Sequence, residues 1–162
     1  AVLGEHRAGP RLSWRCVDVE DEADVARTAA FLVEASEGDP DSDPTGDARG
    51  FIDALLDDEA AARAPERIQI GSCDGAPAVV LLLTVNPADG WATMSYLGVR
   101  PGFRGRGLGR EAMAHALRCM KGLGGCIYHD GTAATNAGAR ALLAGLGSPP
   151  YRVMEEWQLA RH

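Results

Sequence analysis

Apolar residues along the chain recur at two spacings, and each change of spacing marks a new element. Leu12, Trp14, Cys16 and Val19 give a strand pattern over residues 12–19. The acidic stretch 20–24 suits a helix N-terminus, and Val25, Ala29, Leu32 and Val33 follow at helical spacing. Segment 37–47 (EGDPDSDPTGD) has two prolines and five acids and is expected to be loop. A second helix puts Phe51, Ile52, Leu55 and Leu56 on one face. Strand 67–73 follows, then the hairpin turn Asp74-Gly75. Strand 78–85 is almost wholly apolar, which predicts a central strand covered on both faces. After a turn at 86–90 come strand 91–99 and the stop Pro101-Gly102. Helix 110–121 carries Met113, Ala116, Leu117 and Met120 on one side and ends at Gly122, Gly124 and Gly125. A short strand at 126–129, a helix at 137–145 with Ala141 and Leu142 inward, and a strand at 151–159 complete the pattern. The order β-α-α-β-β-β-α-β-α-β predicts a mixed α/β (α+β) domain over residues 11–162, with hairpins first and crossovers later. Residues 1–10, including His6, read as a tail.

Composition narrows the class. At 162 residues the chain has the size of one domain, with 46% apolar and 24% charged residues. A net charge of −7 and a pI near 5.0 disfavour general binding to nucleic acid or to anionic membranes. Aromatic residues are only 6%, too few for a base-stacking platform. Cys16, Cys73, Cys119 and Cys126 form no C-x-x-C pair, which argues against a metal site and a disulfide framework, and we read them as reduced thiols, mostly in the core. No membrane-length apolar run or leader is visible, so a cytoplasmic protein is expected. The start at Ala1 rather than Met fits a trimmed chain or a piece of a longer protein.

The candidate chemistry lies in residues 96–111 (YLGVRPGFRGRGLGRE). A strand ends at Val99, and Arg104-Gly105-Arg106-Gly107-Leu108-Gly109 then opens a helix. Alternating glycines permit a tight turn with successive backbone N–H groups exposed. The helix N-terminus adds its own unpaired N–H groups and partial positive charge, making an anion pocket of pyrophosphate size. Arg104 and Arg106 can add charge at its rim. The motif is not a Walker A loop, and its G-x-G-x-G spacing is not the Rossmann G-x-G-x-x-G. The plainer reading is a Gly/Arg-rich surface turn.

The run LGV-RPGF-RGRGLG resembles motif A of the GNAT acetyltransferase family, R/Q-x-x-G-x-G/A, with Arg104, Gly107 and Gly109 in its signature positions. Asn136, Ala139, Leu142 and Gly147 resemble the second motif, N-x-x-A-x-x-L-Y before a Gly-Phe pair. The resemblance extends from about Leu12 to Leu159. It implies a central, mostly antiparallel sheet, splayed at an acyl-CoA site and flanked by helices. Leu97, Gly98 and Val99 would pair with pantetheine amides as an added strand does. Arg104, Gly105, Arg106, Gly107, Leu108 and Gly109 would take the pyrophosphate. Asn136 would lie near the thioester, and its position also suits a helix N-cap. The implied function is an acyl-CoA-dependent N-acyltransferase moving acetyl from acetyl-CoA to a small-molecule or peptide amine by direct transfer. The alternatives are a non-catalytic acyl-CoA-binding domain of a larger or tandem protein, and S-acyl transfer to a carrier thiol. An open edge strand would permit a homodimer.

Two departures from the family pattern matter. Leu143 stands where relatives carry the tyrosine that protonates the thiolate, and Ser148 replaces the aromatic after Gly147. Substitutes are Tyr96, Tyr128, His129 and Tyr151, or a helix dipole and water. Thr93, Met94 and Ser95 offer no carboxylate base. His129, beside Asp130 at a strand end, could deprotonate an amine or could only hydrogen-bond locally. Tyr96 and His129 are thus the catalytic candidates. His115 is expected to pack or face solvent, and His162 belongs to a tail. The cysteines give no thiol-enzyme arrangement. In the resembled fold the acidic loop 37–47 would wall the acceptor site and draw in a cationic amine; otherwise it is a solvated loop.

Overall fold

The computed structural model describes residues 11–41, 46–59, 61 and 63–147. Its elements run β1 (Leu12–Cys16), α1 (Glu22–Ser36), α2 (Ala48–Asp57), β2 (Ile68–Cys73), β3 (Ala76–Asn86), β4 (Trp91–Val99), α3 (Leu108–Gly122), β5 (Ile127–Tyr128) and α4 (Ala137–Gly145). Single 3-10 turns occupy Pro65–Arg67 and Pro101–Phe103. The strands lie in one sheet in chain order; β1–β2, β2–β3 and β3–β4 are antiparallel, and β5 runs parallel to β4. This is the mixed α+β architecture that the hydrophobic spacing predicts. The expected tail at 1–10, the expected strand 151–159 with Tyr151, and Asp43, Ser148 and His162 lie outside the described residues.

β3 is apolar from Ala78 to Leu83 because helices cover both of its faces. Val80 and Leu82 pack with Val25, Ala29 and Leu32 of α1 and with Ile52 and Leu55 of α2. Leu81, Leu83 and Val85 point the other way, into Met113, Ala116, Leu117 and Met120 of α3. Each of these β3 side chains is fully buried, worth about 1.5–3 kcal/mol apiece. The β2–β3 turn places Asp74 at φ 54° and Gly75 at φ 78°, the paired left-handed conformations of a tight hairpin.

Three expectations change. Phe51 is exposed, because Ile52 and Leu55 carry the stripe of α2 that meets α1 and Phe51 lies at its flank. Ala141 is exposed as well; α4 rests on the α3 side of the core through half-buried Leu142, Leu143 and Leu146. All four thiols are free, but only Cys73 is buried. Cys16 ends an edge strand and Cys126 sits in the glycine turn before β5, so both are exposed. His115 takes one of the two placements expected for it and packs, its half-buried ring stacking on Trp14 at 4.2 Å.

A buried carboxylate joins the first strand to the first helix. Asp21 caps α1 by accepting from Ala23 N at 2.9 Å. Asp24, 6% exposed, accepts both Nη atoms of Arg15 at 2.8 and 3.0 Å and Asp18 N at 3.0 Å. The Arg15 hydrogen bond, outweighing burial, holds the Asp24 carboxyl below its ordinary value. A depressed carboxyl stabilises the fold above its unfolded pKa of about 3.9 and loses that contribution as pH falls through the folded value. Asp24→Asn should therefore cost about 1–2 kcal/mol in urea unfolding at neutral pH. The gap to the wild type should close as pH drops below about 4. A gap that does not change with pH would mean that the charge of Asp24 is immaterial.

Candidate functional site

The site begins where two strands part. β5 pairs with β4 at Trp91↔Ile127 and Ala92↔Tyr128, and His129 N still donates to Ala92 O at 3.0 Å. Beyond that point β4 keeps only β3 beside it among the described residues. Pairing shifts from Leu82↔Tyr96 to Leu83↔Met94, so Ser95 is an extra residue that bends β4 at the parting. Its Oγ lies 2.8 Å from Thr84 Oγ1. The opening is a cleft of about 870 Å³ that takes in Leu97 and Val99 of β4, the glycine turn and the N-terminal end of α4.

Gly105 (φ 74°) and Gly107 (φ 78°) are left-handed, and Gly107 is the residue from which α3 springs. Gly105, Gly107, Leu108 and Gly109 line the cleft. The first N–H groups of a helix have no acceptors within it, so this wall offers donors to an anion. The expected rim charges are differently placed. Arg104 lines the cleft, but its guanidinium donates to Val99 O at 2.8 Å and Ala35 O at 3.0 Å, fastening the end of β4 to the last turn of α1. Arg106 lies outside the lining, its guanidinium over the Phe103 ring at 5.4 Å and 3.9 Å from Asp74. Arg110, in the first turn of α3, is also exposed and lines the cleft, and the sequence reading passed over it. A signal existed: a cation in the first turn opposes the helix dipole unless an anion sits there.

Gly98 acts through its missing side chain. A Cβ there would come within 2.6 Å of the Tyr96 ring and 3.0 Å of Ala35, so the glycine makes room for Tyr96 to lie along the α1 side of β4. Tyr96 Oη then donates to Asp39 at 3.1 Å. Burial first, and the Asp39 charge second, push the Tyr96 hydroxyl well above its ordinary value, so it stays protonated at neutral pH. Asn136 is the N-cap of α4 and also lines the cleft. Its Oδ1 caps α4 by accepting from Ala139 N at 2.9 Å, and its Nδ2 donates to Asp39 at 3.1 Å and to Asp41 at 2.8 Å. Asp41 also accepts from Thr132 Oγ1 and Ala133 N, both at 2.6 Å. Part of the acidic loop is thus a strap that runs from the end of α1 to the start of α4, across the parted strands.

His129 and Leu143 are placed differently. Leu143 lines the cleft as an apolar wall. His129 does not line it; its ring lies 5.5 Å from Trp91. Its neighbour Asp130 does, accepting from the Tyr128 hydroxyl and from Gly131 N. Burial raises the Asp130 carboxyl above its ordinary value. Tyr128 is pushed up as well, first by burial and then by Asp130. Among the described residues no group of three or more His, Cys, Asp or Glu is placed to hold a metal, and no helix is long and apolar enough to cross a membrane.

The cleft thus has a strand edge along one side, a glycine turn with unpaired helix N–H donors at one end and polar side chains at the other. The profile of the acetyltransferase (GNAT) family matches residues 18–147, and the chain belongs to that family. Solved structures of the same fold include the ribosomal-protein-S18-alanine N-acetyltransferase from Escherichia coli, at 21% identity and TM-score 0.59, covering 84% of this chain and 76% of that one. A tandem GNAT protein from the clavulanic acid biosynthesis pathway aligns at 21% identity and TM-score 0.65 over 84% of this chain; the match spans only 43% of that protein. AAC(6')-Iy, solved with the bisubstrate analogue CoA-S-monomethyl-acetylneamine, aligns at 16% identity and TM-score 0.64, covering 93% of this chain and 99% of that one. At these identities the likeness is one of fold. No curated protein sequence matches.

The glycine turn gives a direct test. Acetyl-CoA at a hundredfold excess over its dissociation constant should stabilise the chain by about 2.7 kcal/mol. Gly107→Glu should abolish the accompanying rise in melting temperature, since it adds a side chain in a left-handed position and a negative charge. A folded Gly107→Glu variant that keeps the full shift would show that the anion binds elsewhere.

Proposed function

We propose that the chain transfers an acetyl group from acetyl-CoA to an amine, directly and without an acyl-enzyme. The observation that carries this reading is the β4 edge, which has no strand partner beyond Ala92 among the described residues and leads from the glycine turn to the Tyr96–Asp39 hydrogen bond within one cleft. The cleft suits the donor at both of its chemical ends. N–H groups of Gly105, Arg106, Gly107, Leu108 and Gly109, with the Arg110 side chain, would hold the pyrophosphate, whereas the Arg104 N–H expected to join them already donates to Pro101 O at 3.1 Å. The backbone of Leu97, Gly98 and Val99 would pair with the pantetheine amides between the apolar walls of Met113, Leu142 and Leu143. Asn136 would lie beside the thioester.

Tyr96 replaces the tyrosine that Leu143 lacks. Because Tyr96 Oη donates to Asp39, its lone pairs remain available to accept from an amine N–H. As the amine nitrogen bonds to the acyl carbon, its proton passes to Tyr96 and the phenolic proton passes to Asp39. When the carbon–sulfur bond breaks, the proton returns by the same path to the thiolate, which leaves both side chains as they began. His129 takes no part in these transfers. The carboxylates of Asp39, Asp41 and Asp130 on the cleft wall favour a cationic acceptor. Leu143 supports a second reading, an acyl-CoA-binding domain without turnover.

The test is CoA release from acetyl-CoA with a panel of polyamines, aminoglycosides, amino acids and peptide N-termini. Tyr96→Phe should lower kcat by about a hundredfold. It should leave acetyl-CoA affinity unchanged, and His129→Ala should leave kcat unchanged. Full turnover in Tyr96→Phe would remove Tyr96 from the chemistry. Acetyl-CoA binding with no turnover on any amine would favour the binding domain.

A further inference from the structure

The side of β1 away from the cleft holds an arrangement that acyl transfer does not use. Leu12, Trp14 and Cys16 share one face of β1. Along α3, Leu108, Ala112, His115 and Cys119 recur every three or four residues and share one face of the helix. The two faces meet rung by rung. Leu12 packs with Leu108 and Ala112. Trp14 stacks on His115 at 4.2 Å with the ring planes 4° apart. The next rung lies two residues on in the strand, about 6.6 Å, and four residues on in the helix, about 6 Å, so it sets Cys16 against Cys119.

Gln69 gives an independent check. It is the partner of Cys16 across the β1–β2 ladder, so the two side chains lie on the same side of the sheet. Its Nε2 is 3.6 Å from Cys119 Sγ. The same amide donates to Glu66 O at 2.7 Å, which leaves Gln69 Oε1 to accept from His115 Nε2 at 2.8 Å. His115 Nε2 therefore carries a proton and cannot take one from Cys119, whose Sγ lies 3.4 Å away. The thiol pair has no base of its own.

We propose that Cys16 and Cys119 form an oxidisable dithiol, a modification site at which a small-molecule disulfide is exchanged for a bond between β1 and α3. Cys16 is exposed and reacts first. Its thiolate attacks one sulfur of the reagent, giving a mixed disulfide and releasing one thiol. Half-buried Cys119, as thiolate, attacks the Cys16 sulfur and releases the second. The protein loses two hydrogens, and the reagent disulfide is reduced to two thiols. The new bond fixes the edge strand to the helix whose other end forms the glycine turn. Burial pushes the Cys16 thiol up, with the Glu66 charge and Cys119 adding to it, so exchange is slow near neutrality.

The test uses the full chain, reduced, folded and incubated with oxidised glutathione at a pH of about 8.5, where thiolate is available. Alkylation and mass spectrometry of the digest should reveal a peptide joining Cys16 to Cys119, and the intact mass should fall by about 2 Da. Cys126→Ser should leave the link intact, whereas Cys16→Ser and Cys119→Ser should each abolish it. A glutathione adduct that persists on Cys16 of the wild type with no internal link would overturn the proposal. So would a link from either cysteine to Cys73 or Cys126.

Discussion

A strand that leaves its neighbour inside a sheet exposes backbone N–H and C=O groups that need other partners. Among the described residues β4 does this after Ala92, and the cleft is organised around it. The parting needs a rigid strand on the other side, and β3 provides it, fully buried over most of its length and clamped between helices. It needs an extra residue to turn β4, which is Ser95. It also needs both flanks held, one by α1 and α2 and the other by α3 and α4. In the function proposed above, this edge would serve as a template for an extended, amide-bearing molecule, and the glycine turn at its end would receive that molecule's charged terminus.

The electrostatics divide along the same line. The chain is acidic overall, yet the turn at α3 offers N–H donors and Arg110, while the far end of the cleft gathers Asp39, Asp41 and Asp130. The strap carboxylates are satisfied by α4 and by Tyr96, so they also tie the two flanks together.

Local features were the legible ones. The apolar run of β3, the Asp74-Gly75 turn, the limits of α4 and the glycine motif all follow from neighbouring residues. The motif also led to the family. Longer-range placement was not legible. Tyr96 meets Asp39 across 57 residues, and no periodicity encodes that meeting. Arg104 and Arg106 read as rim charges, but carbonyl acceptors at Val99 and Ala35 hold one, and the other leans over Phe103. The cysteines read as core by residue type, yet the end of an edge strand and a glycine turn leave two of them outside. Phe51 shows the limit of a helical stripe, where one step round the axis separates the covered side from the bare one.

The sheet order has a kinetic consequence. β2, β3 and β4 are consecutive in the chain and adjacent in space, joined by two tight turns, so their pairing closes short loops at small entropic cost. β1 must find β2 across two helices, and the strap must find α4 across nearly the whole domain. Folding rates follow such separations, so the three-stranded meander can form while the termini are still searching. The donor platform would then exist before the acceptor end is assembled, and a donor already bound there would favour completion of the rest.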